Sequence, residues 1–337
     1  MSNQTLLRWG IMGAGNIAKM FSQALLALDD HRITAVGSRS RERAADFIEQ
    51  QKIPDAVACG SYEELASRED VDIVYIATIH PQHLACAKVA FAAGKHVLVE
   101  KPIAMNADEA REMVDLAKEK ELFLMEGMWC RFHPVNQKVK EWIRSGRIGE
   151  INMFEANYGF VGDPENDLRL YNLELGGGAL LDVGIYPLSM AAFYLDQQPV
   201  QLTGYANLDP TSGVDLDMVT MASYADGMLA KTGASVIQKY DNAARIYGSE
   251  GMIVVPSFIH PERAEIYDLG EEEDEPWVVE TFTASDICNG FEFEAMAVKE
   301  AILAGQTTCE DMTGADSVEI MGQVDSLFKE WGITFGK

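Results

Sequence analysis

The chain has 337 residues, 47% of them hydrophobic and 24% charged, a globular composition at a length that fits two domains. Its 27 Lys and Arg face 53 Asp and Glu, for a net charge of −26. That balance argues against general nucleic-acid binding and against anionic membrane surfaces, both of which need clustered cations.

The charge is unevenly spread: residues 1–150 hold 19 basic and 21 acidic side chains, and residues 151–337 hold 8 and 32. The first half therefore tolerates an anionic ligand far better. The five cysteines (Cys59, Cys86, Cys130, Cys288 and Cys309) are odd in number, widely spaced and without a Cys-x-x-Cys. They suggest neither disulfides nor structural zinc and fit a reducing cytoplasm. The histidines show no metal-ligand spacing, so no metal is expected. Residues 1–5 carry no basic segment ahead of an apolar run, and no apolar run reads as long enough to span a membrane.

In chain order, Leu6–Met12 reads as a strand, Asn16–Leu28 as a helix, Arg32–Ser38 as a strand and Arg41–Gln51 as a helix. Strand Ala56–Cys59, helix Tyr62–Ser67, strand Ile73–Ala77 and helix Gln82–Ala93 follow. Strand His96–Val99, helix Ala107–Lys120 and strand Leu122–Glu126 close the series. This alternation predicts an α/β domain with a doubly wound parallel sheet, the Rossmann arrangement. The pattern changes near Trp129. Helix Pro134–Ser145 precedes strands Ile151–Phe160, Pro199–Asn207, Met218–Tyr224, Met228–Ser235, Ala243–Gly248, Gly251–Val255 and Trp277–Thr283. Helix Leu181–Tyr194 interrupts them, and helices Glu292–Ala304 and Thr313–Trp331 end the chain. Successive strands separated by turn residues predict a second α/β domain with an open, predominantly antiparallel sheet. The division expected is 1–128 for a dinucleotide-binding domain and 129–337 for substrate binding and dimerisation. The acidic run at 271–275 reads as an exposed loop.

The strongest local signal is Gly13-Ala14-Gly15-Asn16-Ile17-Ala18. Gly13 permits a tight turn, Gly15 lets a pyrophosphate approach the backbone, and Ala18 lets the helix pack on the sheet. The first helical N–H groups, at Asn16 and Ile17, face the ligand. Sites that prefer NAD usually end the second strand in Asp or Glu. Here Ser38 and Arg39 stand there, with Arg43 following, a pattern that accommodates a 2′-phosphate and so predicts NADP over NAD. Arg41 and Arg43 read equally well as solvated charges at a helix start. Strand His96–Val99 delivers Glu100-Lys101-Pro102 to the edge where doubly wound sheets bind ligands. A cis bond before Pro102 is expected there.

Further along stand His80-Pro81-Gln82-His83, Leu124-Met125-Glu126, Trp129 with Arg131-Phe132, and the stretch Gly177–Tyr186. With Glu100-Lys101-Pro102, these make the chain resemble the Gfo/Idh/MocA oxidoreductases over essentially its whole length. The closest resemblance is to the branch of dimeric dihydrodiol dehydrogenases and NADP-dependent, xylose-type sugar dehydrogenases. Many members place His four residues after the motif aspartate, where this chain has Tyr186. The resemblance implies an active site of Lys101, Asp182 and Tyr186, with His80 and Glu100 near the nicotinamide and Trp129, Arg131 and Tyr158 near the substrate. Phe291 and Phe293 are weaker candidates.

The implied chemistry is hydride transfer to or from a sugar or vicinal diol. Free tyrosine ionises near about 10, so a tyrosine base needs a cation beside it. Tyr186 is the expected acid/base, with Lys101 as donor and electrostatic support, and which of the two moves the proton is left open. Asp182, four residues before Tyr186, lies on the same helix face. It either orients Lys101 or holds a substrate hydroxyl, and as a bare sequence feature it reads equally well as a helix cap. Without the motif Tyr186 reads better as a buried tyrosine with a satisfied hydroxyl, and Trp129 and Tyr158 read equally well as packing residues. A keto-sugar reductase is the alternative enzyme, and an NADPH-sensing regulator without turnover is the alternative of another class. A sheet with one face free of helices predicts a homodimer or a dimer of dimers.

Overall fold

The computed structural model describes residues 6–270 and 275–335. The start of the chain, and the acidic run apart from Glu275, lie outside the described residues. The chain folds into two compact units. One is built from residues up to Trp129 together with Asp286–Val318, the other from Cys130–Ser285 together with the segment from Glu319 onward.

The first unit holds six parallel strands: β1 (Leu7–Met12), β2 (His31–Gly37), β3 (Val57–Cys59), β4 (Ile73–Ile76), β5 (His96–Glu100) and β6 (Leu124–Gly127). Their order is β3-β2-β1-β4-β5-β6. Strands such as Ile73–Ile76 are buried at every position, as expected of a parallel sheet covered on both faces. The covering helices are α1 (Asn16–Leu26), α2 (Arg41–Gln51), α3 (Tyr62–Ala66), α4 (His83–Ala92) and α5 (Ala107–Glu119). The strand order reverses between β1 and β4, and that switch point is where a doubly wound sheet opens a crevice beyond its carboxyl ends.

The second unit begins with α6 (Pro134–Arg144) and β7 (Ile151–Gly159). A π-helical turn, Leu180–Gly184, runs into α7 (Ile185–Leu195). Strands β8 (Gln201–Leu208), β9 (Asp215–Ser223), β10 (Leu229–Ser235), β11 (Ala244–Gly248), β12 (Met252–Val255), β13 (Arg263–Asp268) and β14 (Trp277–Thr283) complete an eight-stranded sheet. Its order is β14-β13-β12-β11-β7-β10-β9-β8. Every pairing is antiparallel except β7 with β10, so the sheet is mixed. The chain ends with α8 (Glu292–Leu303) and α9 (Gly314–Trp331).

Two features differ from the sequence reading. Strand β13 has the sequence RAEIYD, and only Ala264 and Ile266 of it are fully buried; its charged outward positions hid it. The stretch Leu173–Leu195 has the length and mean hydropathy (1.4) of a membrane span, although no run was read as long enough. It is 89% buried inside the protein, so its apolar character serves the core.

Candidate active site

The cofactor side is set by the turn after β1. Gly13 has φ +109°, and a Cβ there would meet the Ala77 carbonyl oxygen at 2.5 Å. Its N–H donates to the Gly37 carbonyl, and the Ala77 N–H donates to Met12. Gly13 is thus glycine because the ends of β2 and β4 close on it. Gly15 is different. It is exposed, and among the described residues an added Cβ would meet no atom within 4 Å, so they leave that side of the backbone open. Gly15 precedes α1, which has neither a side-chain cap nor an acidic residue in its first turn. By contrast, Ser40, Ser61 and Asn106 cap α2, α3 and α5, each with acids in the first turn. The N–H groups and positive end of α1 are therefore left for an anion, and these residues fit a dinucleotide pyrophosphate.

At the end of β2, Ser38 is buried with its N–H on the Cys59 carbonyl. Arg39 and Arg43 are exposed, and both favour ionisation of the nearby Tyr62, whose hydroxyl burial nonetheless pushes up. Arg41 is bound to Glu64 at 2.6 Å and to the Ala58 carbonyl. Of the three arginines read from the sequence, Arg39 and Arg43 thus fit a phosphate, while Arg41 fixes α2 to the segment after β3.

Beyond β5, the Lys101–Pro102 peptide is cis. Glu100 is buried, and its carboxylate accepts from the Tyr75 hydroxyl. Burial pushes its pKa up to about 7, against the pull of Tyr75 and the Lys101 ammonium. Glu126 is buried and accepts from the Ile103 N–H at 3.0 Å and the Ser317 hydroxyl at 2.7 Å. The ring nitrogens of His83 lie 2.9 Å from the Pro102 carbonyl and 3.1 Å from the Thr78 carbonyl. Burial lowers its pKa to about 4 although both carbonyls favour the charged form. His83 and Glu126 thus fix the backbone just after the lysine, at Pro102 and Ile103. His80 is buried with its ring 5.8 Å from that of His83.

Trp129 stacks on Phe291 with ring centroids 4.6 Å apart. This pairs two residues that the sequence analysis named separately.

In the second unit, Tyr186 is buried near the start of α7, and Asp182 lies within the π-helical turn before it. Asp182 does not act as a helix cap: its carboxylate accepts from Arg169 Nη2 at 2.7 Å. Tyr158 of β7 meets Tyr186 edge to face at 5.9 Å, and burial with the nearby Asp182 carboxylate raises its pKa. Tyr158, Asp182 and Tyr186 are thus brought together. Arg131 is only 1% exposed and donates to the Ser189 hydroxyl and carbonyl at 2.9 and 2.8 Å. It braces α7 from within the core.

The glycine run before Asp182 has a local cause. A Cβ on Gly177 would strike the carbonyls of Arg169 and Leu170 at 2.5 Å, and Gly178 (φ +105°) would strike Asp215 Oδ1 at 2.2 Å. Asp215 is fully buried and accepts from the Leu180 N–H at 2.6 Å, and burial pushes its pKa up to about 7. Sequence reasoning missed Arg169 and Asp215. The glycine run was the available signal, since such small residues imply close neighbours.

Residues 7–128 match the oxidoreductase family described as having an NAD-binding Rossmann fold, and residues 136–254 match the GFO/IDH/MocA C-terminal domain. The chain is 32% identical over 338 residues to trans-1,2-dihydrobenzene-1,2-diol dehydrogenase of Danio rerio, covering 98% of both chains. Among solved structures it resembles KijD10, a 3-ketoreductase from Actinomadura kijaniata in complex with NADP and TDP-benzene. The TM-score is 0.84 at 27% identity, over 97% of this chain and 98% of that one. A lysine-to-alanine and a tyrosine-to-phenylalanine variant of that ketoreductase have been solved with the same two ligands. Levoglucosan dehydrogenase with NADH and levoglucosan shares the fold, with TM-score 0.86 at 21% identity over 97% of this chain and 98% of that one. The chain belongs to the Gfo/Idh/MocA family and is an NAD(P)-dependent oxidoreductase of the dehydrogenase/reductase kind that acts on CH–OH groups.

Proposed function

We propose that the protein is an NADP-dependent dehydrogenase acting on a sugar or a vicinal diol. The observation that carries this reading is the full-length likeness to a dihydrodiol dehydrogenase. It is joined by the grouping of Asp182, Tyr158 and Tyr186 around the start of α7. Residues 1–128 are assigned to the cofactor and 129–337 to substrate and dimerisation. Gly13, Gly15, Asn16 and Ile17 hold the pyrophosphate, and Ser38, Arg39 and Arg43 hold the 2′-phosphate. The absence of a carboxylate at the end of β2 supports NADP, since an acid there would repel that phosphate. His80, Glu100 and Lys101 line the nicotinamide end.

When bound, the nicotinamide supplies the hydride acceptor or donor. The protein's task is the hydroxyl proton. Tyr186 takes it during oxidation and returns it during reduction, and Lys101 donates a hydrogen bond and favours the anionic oxygen. Asp182, oriented by Arg169, holds a substrate hydroxyl. Trp129 and Tyr158 supply flat apolar walls. The lysine and tyrosine altered in the ketoreductase structures are the residue types assigned here. That likeness also supports keto-sugar reduction as the second reading, which is the same chemistry run backwards.

The open sheet face, with Tyr205, Val219 and Met221 exposed, supports a homodimer or a dimer of dimers. The free cysteines support a cytoplasmic setting. The test is NADP reduction, and NADPH oxidation in reverse, across a panel of aldopentoses, ketoses and diols, with affinities for NADP and NAD side by side. Turnover of a sugar or diol with tighter NADP binding is expected. Tighter NAD binding would overturn the cofactor assignment. NADPH binding with no turnover of any compound would favour a sensing regulator.

A further inference from the structure

Arg169 lies in the loop after β7, outside every motif that points to the active site. Its placement is nonetheless tightly determined. Leu170 beside it is fully buried, and the Gly178 N–H donates to the Leu170 carbonyl at 2.9 Å. Gly177 lies so close beneath the carbonyls of residues 169 and 170 that no side chain fits between them. The glycine run thus clamps the backbone of Arg169 next to the turn carrying Asp182.

The guanidinium uses Nη2 on Asp182 at 2.7 Å. Its side chain is 28% exposed, but its Nη1 atom is buried and has no hydrogen-bond partner among the described residues. A buried charged donor left unmade is costly, so such groups in native proteins are satisfied by protein, by ordered water or by a ligand. The donor points out of the same planar fork that grips Asp182, which makes the two side chains a matched pair. The carboxylate accepts and the adjacent guanidinium donates. Neighbouring hydroxyls offer the complementary pattern, a proton to the first group and an oxygen to the second.

We infer that Arg169 is a substrate-recognition residue, whose Nη1 donates to an oxygen of a vicinal diol while Asp182 accepts from the adjacent hydroxyl. This rests on the proposed place of Asp182 in the substrate site and narrows the substrate class to compounds with adjacent oxygens. It also gives Arg169 a positioning role toward Asp182, which lysine could fill only in part because it lacks the planar fork.

The test uses protein loaded with NADPH, in which an alcohol binds without turnover, so binding is read apart from chemistry. Calorimetric titration with D-xylose and with trans-1,2-dihydrobenzene-1,2-diol is compared for the parent, Arg169→Gln and Arg169→Lys. In Arg169→Gln, affinity for the bound probe should fall about 10- to 100-fold, the worth of a charge-assisted hydrogen bond. NADPH affinity should stay within about twofold of the parent, and Arg169→Lys should recover part of the loss. Probe affinity unchanged in Arg169→Gln would overturn the inference. So would equal losses of probe and NADPH affinity, or a loss matched by unfolding in both variants. If the parent binds a probe, Arg169→Gln weakens it, and NADP turnover is absent, the inference stands and the functional reading falls. If the parent turns the probe over and Arg169→Gln leaves affinity and KM alone, the functional reading stands and the inference falls. A parent that binds neither probe sinks both.

Discussion

Gly13 and Gly15 sit two residues apart and are glycine for different reasons, which gives them separable phenotypes. A Cβ on Gly13 meets the Ala77 carbonyl at 2.5 Å, and its φ is +109°. Gly13→Ala should therefore lose stability by about 2 kcal/mol or more, read as a lowered melting temperature. A Cβ on Gly15 meets nothing among the described residues. Gly15→Ala should melt with the parent and bind NADPH at least about tenfold more weakly, because the methyl group stands where the pyrophosphate approaches. Parent-like NADPH affinity in Gly15→Ala would remove the pyrophosphate from this turn. Both roles were legible in the sequence because the motif has a fixed structural context. Arg131 was not legible. Its place near the substrate was implied only by the family resemblance, while burial and two bonds to Ser189 make it a brace for α7, a role that no local sequence pattern announces.

At the scale of elements, the turn from Gly176 to Tyr186 is the least regular part of the fold and the most informative. A continuous α-helix was expected from Leu181, and the structure inserts a π-helical turn over Leu180–Gly184. Such turns recur at functional sites. A contact that holds its first residue is distant in sequence: Asp215 of β9 accepts from the Leu180 N–H. No periodicity in a single sequence announces a partner 35 residues away. For the same reason the parallel β7–β10 pairing was not expected, while the βαβ units, set by local alternation, were read almost to the residue. Asp215 also yields a pH prediction. Its folded pKa is raised from 3.8 to about 7, so across that window the folded chain holds a proton that the unfolded chain has released. Its stabilising contribution is whole below about pH 4 and is lost as pH rises to about 7. An Asp215→Asn protein should lack this loss, so from pH 5 to pH 8 the parent's melting temperature should fall relative to that of Asp215→Asn. A constant difference would show that Asp215 is ionised throughout.

For the whole molecule, two buried histidines act in the opposite sense. The Trp9 indole donates to His31 Nδ1 at 3.0 Å, which requires an unprotonated nitrogen there, and burial lowers the His31 pKa to about 4, as it does for His83. Between about pH 6.5 and pH 4 the unfolded chain binds protons that the folded chain refuses, so stability falls as pH drops, by ~2–3 kcal/mol for each histidine. From pH 7 to pH 4.5 the parent's urea midpoint should therefore fall relative to that of a His31→Gln protein, which lacks the titrating ring, and a difference that stays constant over that range would contradict it. The opening asymmetry of charge gains a role at the same scale. The proposed polyanionic cofactor lies in the nearly neutral half, and the acidic half is left to neutral polyols. The open sheet face is also in that acidic half, and Met221→Asp on it should turn a dimer seen by light scattering into a monomer. A parent that is already monomeric at micromolar concentration would contradict the dimer.

The central claim is that Lys101 and Tyr186 handle the substrate proton. Its most direct measurement is kcat/KM for the best sugar or diol with NADP in Lys101→Met and Tyr186→Phe, with NADP affinity measured alongside. Each variant is predicted to lose about 100-fold or more in kcat while staying folded and binding NADP within a few fold of the parent. Activity within a few fold of the parent in both variants would contradict the account.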